Sequence, residues 1–489
     1  MAEERIALGT ARARWVLAAT ALGSGMAFLD GTVVNVALPA MGEDLGAGMA
    51  GLQWIVNGYM LMLASLILLS GSLGDRLGRR RMYVIGVAWF AVASVICTIA
   101  PTLEIMVAGR VLQGIGGALL TPGSLAILQT TFAPGDRGKA VGTWSGLTSV
   151  AAAVGPFVGG TLVDSGSWRL IFLINAPIAV VTILVTLRHV PETRDETMAG
   201  KLDLSGAALA TVGLAGFTFG LIRAGEDGFG NASVLASLVI GLAAFAVFVL
   251  VERRSSHPML PPGIFANRRF TGANLVTVVV YGALGTATFL VVVYFQTALG
   301  YAAVWAGAAL LPMTVLMFTL SGSAGGLAEK IGARIPMTAG PLLMAGGFLL
   351  MLRLSPGSQY VTEVLPAVVV LGLGLVATVA PLTATVLSSV EDHHAGIASG
   401  VNNAVARSAQ LMAVAAIPMA AGITGESYRD PVAFSNGFHR ALVISAALAV
   451  AGAVIAWTTL GDGTRRRSVE VLHHRHCALE APPYTGASH

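Results

Sequence analysis

Fourteen apolar runs, each long enough to cross a bilayer, succeed one another along the 489 residues of this chain. They cover 15–37, 53–72, 82–100, 104–127, 141–164, 168–188, 204–224, 231–251, 272–297, 303–326, 335–353, 361–390, 395–423 and 436–460. About 20 apolar residues span the hydrocarbon core as a helix. In lipid a backbone can satisfy its own polar groups only as a helix or a closed barrel, and runs this long are helices. Charged residues make up 11% of the chain, against ~25% in a soluble domain. The expected class is an all-α polytopic membrane protein with 14 transmembrane helices and little mass outside the lipid.

The basic residues orient the spans. With the N-terminus inside, the inner segments hold twenty-two of the 29 Lys and Arg residues, and the outer segments hold only Arg169, Arg223, Arg353, Arg429 and Arg440. Arg110 and Arg407 fall within spans. Such a bias puts both ends in the cytoplasm and supports an even number of spans. The charged start, MAEERIALGTARAR, leads into a full-length run and reads as a retained segment rather than a cleaved leader. The net charge of +4 is parcelled into short loops, which argues against a nucleic-acid partner. A multi-pass protein of the cell's inner (plasma) membrane is expected, monomeric in its bilayer.

Asp30 is the only carboxylate deep within any of these runs. It lies fifteen residues beyond Trp15, about 22 Å of helical rise, past the midplane towards the outer side. A charge at that depth costs ~2.5–3.5 kcal/mol even on lenient scales, so such a residue reads as functional. Desolvation disfavours the charged form of a carboxyl group, which lets an acid in lipid-like surroundings exchange protons near neutral pH. Asp30 is therefore the expected proton carrier, and a cationic cargo is expected to compete with the proton for it. Arg110, which never loses its charge, is the expected electrostatic partner. Gln113, one turn further, is placed on the same polar stripe.

The chain also repeats itself. Gly71-Ser-Leu-Gly-Asp75-Arg76-Leu-Gly78-Arg79-Arg80 aligns with Gly325-Gly-Leu-Ala-Glu329-Lys330-Ile-Gly332-Ala-Arg334 at an offset of 254, and Gly138, Ala140 and Gly142 align with Gly396, Ala398 and Gly400 at 258. Parallel repeats around a central site are an architecture of alternating-access transporters. The expected division is a six-helix bundle over 1–189, two additional linking helices over 190–260, a second six-helix bundle over 261–461, and a disordered tail over 462–489.

These motifs resemble the major facilitator superfamily. The stretch from Gly71 to Arg81 looks like its loop signature between the second and third helices, and Arg110-Val-Leu-Gln113-Gly114 its fourth-helix motif. Gly155-Pro156-Phe-Val-Gly159-Gly160 looks like the fifth-helix motif of its antiporters. Leu29-Asp30-Gly-Thr32-Val-Val-Asn35, Trp168-Arg169 through Asn175-Ala-Pro177, and Ala398-Ser-Gly400-Val-Asn402-Asn403 resemble its fourteen-helix drug:proton antiporters, the EmrB/QacA group. The resemblance implies the major facilitator fold and proton-driven export of hydrophobic, often cationic, drugs or natural products, with Asp30 and Arg110 in proton coupling. One dedicated antibiotic and a broad drug spectrum remain alternatives, with a proton symporter importing a small solute as a weaker one.

The remaining expectations concern gating and cargo. Gly71, Asp75, Arg76, Gly78, Arg79 and Arg80 are expected to form a gating loop, its acid facing the start of the thirteenth run near Ala395. Gly142, Gly146, Gly155 and Gly159 share a small face, with Pro156 inserted, suited to a bundle that seals against proton leakage. A mid-membrane cavity between the halves is expected to draw on Phe28, Trp54, Tyr59, Tyr281, Tyr294, Phe295, Trp305 and Arg407, since aromatic faces suit flat hydrophobic cations. Arg407 with Asn402 and Asn403 forms a polar patch for gating or for an acceptor on the cargo. No GxxxxGK[ST] motif is present, so the energy source is expected to be the proton gradient, with no cofactor. His473, His474, His476 and Cys477 read as part of a solvated tail, and His393 and His394 as a polar loop. No metal site, disulfide or enzymatic constellation is expected.

Overall fold

The computed structural model describes residues 6–194, 202–255, 258–391 and 395–461. The tail over 462–489 and the pair His393 and His394 lie outside the described residues. Sixteen α-helical segments follow one another in the described chain. In the first half these are α1 (Ala11–Asp44), α2 (Met49–Leu77), α3 (Arg79–Ile99), α4 (Leu103–Thr131), α5 (Pro134–Asp164), α6 (Leu170–Leu173) and α7 (Asn175–His189). Then come α8 (Leu204–Asp227) and α9 (Ala232–Arg254). The second half holds α10 (Arg268–Thr297), α11 (Ala303–Ala308), α12 (Leu311–Ile331), α13 (Arg334–Leu350), α14 (Leu365–Ser388), α15 (Ala395–Ala420) and α16 (Pro431–Thr459). The short α6 and α11 each continue into the next helix as one crossing, so the bundle has fourteen crossings, as the apolar runs predict. Thirteen of these are long and apolar enough to cross a membrane on composition alone. The fourteenth, α15, carries Asn402, Asn403, Arg407 and Gln410 and is correspondingly less apolar.

The helix ends follow their local sequence. Thr10, Thr102, Asn267 and Asp430 each accept a backbone N–H of the first turn that would otherwise lack a partner. At the other terminus α2 stops at Gly78 (φ 107°) and α12 at Gly332 (φ 91°), each donating its N–H back to a carbonyl four residues earlier. Both are backbone conformations that favour glycine, and they are corresponding positions of the sequence repeat.

The repeat extends into packing. A Cβ on Gly86 of α3 would lie 2.9 Å from the Leu120 nitrogen of α4, and one on Gly116 2.7 Å from the Phe90 nitrogen. In the second half a Cβ on Gly340 of α13 would lie 2.8 Å from the Gly374 oxygen of α14, and one on Gly374 2.6 Å from the Met344 nitrogen. Small residues let these helix pairs approach to backbone contact. Gly86 and Gly340, and Gly116 and Gly374, stand at the same two offsets as the loop repeat.

α8 and α9 pack on each other at Gly216 and Gly241. α8 also packs on α2 and α15, flanking the seam between the halves. Beside them lies an apolar void of about 560 Å³ between α2, α8, α9, α10 and α15, with Ser65 and Ser408 as its polar lining. Glu252, one residue past its predicted run, is buried near the end of α9 at 3% exposure and accepts the Leu260 N–H at 2.9 Å. Asp30 is thus not the only buried carboxylate.

The halves meet firmly at one end of the bundle, the end away from the arginine-rich loop at Gly78. There Gln296 Nε2 donates to the Val36 carbonyl (2.8 Å), the Met49 N–H to Gly425 (2.8 Å), and Tyr428 Oη to Ala47 (2.8 Å). Asp164, at the end of α5, accepts the Ala303 and Val304 N–H groups at 3.1 and 3.0 Å. A Cβ on Gly160 would collide with the Val304 backbone, and one on Gly307 would lie 2.7 Å from Pro156. Towards the arginine-rich end α5 and α12 part. A Cβ on Gly146 would find only Phe318, at 3.9 Å, and one on Gly142 nothing within 4 Å.

Candidate functional site

The charged centre lies wholly within the first half. Asp30 of α1 is 1% exposed, and its Oδ2 lies 2.6 Å from Nη1 of Arg110 on α4, itself 1% exposed. Arg110 also donates from Nε to the Ile55 carbonyl of α2 (2.9 Å) and from Nη1 to Gln113 Oε1 (2.5 Å). Gln113 Nε2 in turn donates to Asp30 Oδ1 at 2.7 Å and to Ser94 Oγ of α3 at 2.9 Å. Asn175, the first residue of α7, donates to Asp30 Oδ1 (3.4 Å) and to Ser94 Oγ (3.2 Å). Five helices thus contribute to one network, and each charge has an opposite charge and neutral dipoles beside it. The placement of Arg110 and Gln113 one turn apart on α4 puts both on the face towards Asp30, where the motif spacing predicts them.

Between the halves lies a second feature, a cavity of about 220 Å³. Phe28, Asn57, Tyr59, Phe289, Arg407 and Gln410 are its principal lining side chains, drawn from α1, α2, α10 and α15. Asp30, Arg110 and Gln113 are not in its lining. They lie one layer behind, and Tyr59 belongs to both: it lines the cavity, and the Arg110 Cζ is 4.6 Å from its ring centroid. An exposed carboxylate for which a cationic cargo competes directly is therefore not what Asp30 presents in this conformation, because Arg110 and Gln113 occupy both its oxygens.

Of the side chains expected around a central cavity, Phe28, Tyr59 and Arg407 lie there. The others do not. Trp54 faces the additional helices, 6.2 Å from Phe219. Tyr294 is buried in its own half, stacked 4.1 Å from Phe438 and donating to Leu354. Phe295 is buried 5.7 Å from Tyr301, and Trp305 is 65% exposed on the outer surface of the bundle. Tyr281 is half-buried beside the core and is not in the lining. Aromaticity does not encode the rotation of a helix about its axis, and these helices turn most of their rings into their own half. Asn57, Phe289 and Gln410 were not singled out by the sequence, since single amides and rings within apolar runs carry no motif. Asn402 bonds Asn274 (3.1 Å) and Thr277 (2.8 Å) of α10 and so clamps two helices rather than sharing a patch with Arg407.

The loop at Gly78 carries ion pairs and a helix cap of its own. Asp75 is paired within its own loop, with Arg79 Nη2 at 2.6 Å. The acid that meets a helix N-terminus here is Glu192, beyond α7: it accepts the Arg80 and Arg81 N–H groups of α3 at 3.0 and 3.1 Å and lies 3.7 Å from Arg80 Nε. Gly71 has open space around it. In the expected sealing helix, Gly155 of α5 packs on Thr32 of α1, and a Cβ on Gly159 would lie 2.7 Å from Val33.

Comparison with known proteins agrees with this architecture. The chain is 34% identical over 464 residues to the puromycin resistance protein pur8 of Streptomyces alboniger, covering 92% of each chain. It is 33% identical over 463 residues to the tetracenomycin C resistance and export protein of Streptomyces glaucescens, covering 94% of this chain and 86% of that one. Among solved structures, a bacterial homologue of the human lysosomal transporter Spinster shares the fold with a TM-score of 0.65 at 17% identity, covering 93% of this chain and 98% of that one. A family model described as Major Facilitator Superfamily matches residues 20–415, and the chain, a multi-pass membrane protein, belongs to that superfamily.

Proposed function

We propose that the chain is a proton-coupled efflux antiporter that exports hydrophobic small molecules, drugs or antibiotics, from the cytoplasm or inner leaflet. The observation that carries this reading is the closed Asp30–Arg110–Gln113 network placed one side chain behind a cavity between the halves. The arginine-rich end is the cytoplasmic one, with both chain ends on that side of the cell membrane. The seal at Asp164, Gly160 and Tyr428 then closes the outer mouth, and this conformation admits cargo from within.

The chemistry follows from charge balance. Ionised Asp30 neutralises Arg110. A proton arriving on Asp30 removes that compensation, and an uncompensated buried charge costs ~3–5 kcal/mol. Arg110 must then shift towards other acceptors, and its neighbour Tyr59 moves with it and reshapes the cavity wall. Cargo is released to the outside in exchange. When Asp30 loses its proton to the cytoplasm, the ion pair re-forms. The residues from Gly71 to Arg80 act as a gate at the cytoplasmic end, and Gly155, Pro156, Gly159 and Gly160 seal α5 on α1 and α11. The work is done by two six-helix halves, 1–189 and 261–461, joined through the helices of 190–260. The chain acts as a monomer, with the proton gradient as energy source and no cofactor.

A dedicated exporter of one natural product is the second reading. The two relatives named above, each identified with one antibiotic, favour it. Purified protein in liposomes tests the main reading: a fluorescent hydrophobic cargo should move only when a pH gradient is imposed, with matching proton flow. Asp30→Asn, confirmed folded by size-exclusion chromatography, should abolish both. Gradient-independent transport, or unchanged coupling in that variant, refutes it.

A further inference from the structure

The cavity between the halves holds an uneven set of polar groups. Arg407 lines it, half-buried, and no ion pair or hydrogen bond to its guanidinium is present among the described residues. Asn57, also in the lining, is 0% exposed, yet neither its Nδ2 nor its Oδ1 has a protein partner. The Oε1 of Gln410, one turn from Arg407 on α15, is likewise buried without one. Buried polar groups are nearly always satisfied, and leaving one unmade carries its full desolvation penalty. Two such side chains, with a half-buried arginine beside them on the same void, mark a site built for something that completes them.

Their charges say what kind. No carboxylate lines the cavity, and Asp30, behind its wall, is already compensated by Arg110 at 2.6 Å. Arg407 is therefore the uncompensated charge facing the void. A cationic cargo would be repelled by it. An oxygen anion would be drawn to it, since a guanidinium is the side chain best shaped to hold carboxylate-like groups through paired N–H donors. The rings of Phe28, Tyr59 and Phe289 supply flat apolar wall on either side.

We infer that this cavity selects aromatic cargo carrying a carboxylate or another ionised oxygen, held by Arg407 and flanked by Asn57 and Gln410. This assignment rests on the cavity being the cargo's path, as proposed above, and it reverses the preference for cations that the family resemblance implies. The void, about 220 Å³, is below the ~300–1,000 Å³ usual for drug-sized ligands, so a two-ring probe suits it.

The test is equilibrium binding by calorimetry to the purified full-length chain, using three probes of one skeleton: 2-naphthoate, 2-naphthamide and 2-naphthylmethylammonium. The anion should bind at least about tenfold more tightly than the cation, which is what one charge-assisted hydrogen bond is worth. Arg407→Gln should remove that preference, and Arg407→Lys should keep part of it. Wild-type protein that binds the cation as well as the anion, or does not bind the anion, overturns the inference. So does an Arg407→Gln variant, shown folded by its thermal melt, with unchanged affinity for the anion. Because the readout is binding and not flux, a wrong charge preference leaves proton coupling standing, and failed coupling leaves the preference measurable.

Discussion

The guanidinium carbon of Arg110 lies 4.6 Å from the centre of the Tyr59 ring, and the same ring forms part of the cavity wall. One side chain thus separates the ion pair from the space between the halves. Truncating it should break that separation. Tyr59→Ala is expected to let protons leak through reconstituted protein without cargo, read with a pH-sensitive dye inside the liposomes. Tyr59→Phe keeps the ring face and its cation–π contact, ~0.5–2 kcal/mol, and should remain tight. A tight Tyr59→Ala protein would show that the barrier lies elsewhere.

Replacing Asp30 leaves Arg110 buried without its counter-charge. Asp30→Asn should cost ~3–5 kcal/mol of stability, visible as a lowered thermal midpoint in detergent. Arg110→Gln added to it should recover much of that loss, because two neutral amides need no ion pair. Transport should not return in the double variant. Equal and additive losses would mean that the 2.6 Å pair is not energetically coupled.

Gly160 has the Val304 backbone where a side chain would stand. Gly160→Val should cost ~1–3 kcal/mol through overpacking and push α5 from α11. A single cysteine introduced at Asn35, which lines the cavity, in a background with Cys97 and Cys477 replaced, should then react faster with an impermeant maleimide added from the arginine-poor side. An unchanged labelling rate would exclude this contact as part of the seal.

Glu192 accepts two N–H groups at the start of α3. Its replacement by alanine should lower stability by ~0.5–2 kcal/mol, as for other lost caps. Gly78→Ala should do at least as much, since φ is 107° there and a Cβ would lie 2.6 Å from Glu192. Both effects are read as shifts of the thermal midpoint, and a neutral Glu192→Ala would show that water replaces the carboxylate without loss.

Much of this fold is legible in the chain because lipid leaves so few options. Hydropathy locates the fourteen crossings, and the loop repeat anticipates Gly78 and Gly332 ending corresponding helices. Asp30 and Arg110 stand out because charge is scarce in apolar runs, and the structure brings them together. The cavity was less readable. Helix rotation decides whether a ring such as Tyr294 or Phe28 faces a partner helix or the seam, and α10, α15 and α2 turn different faces to it than aromatic content suggests. Asn57 and Gln410 gain meaning only from the absence of a partner, which is a property of three-dimensional placement. Asp75 pairs with Arg79 across the Gly78 turn between α2 and α3, a partner four residues away that is available at little entropic cost.

Asp164 gathers two amides from the far half with one carboxylate. In the transport cycle proposed above those three groups part as the halves separate, and because Asp164 is already exposed, water takes over each of them without leaving any polar atom bare. A catch at a wetted rim gives up little when it opens, which in that cycle lets packing alone shut one end and reopen it without a separate source of force.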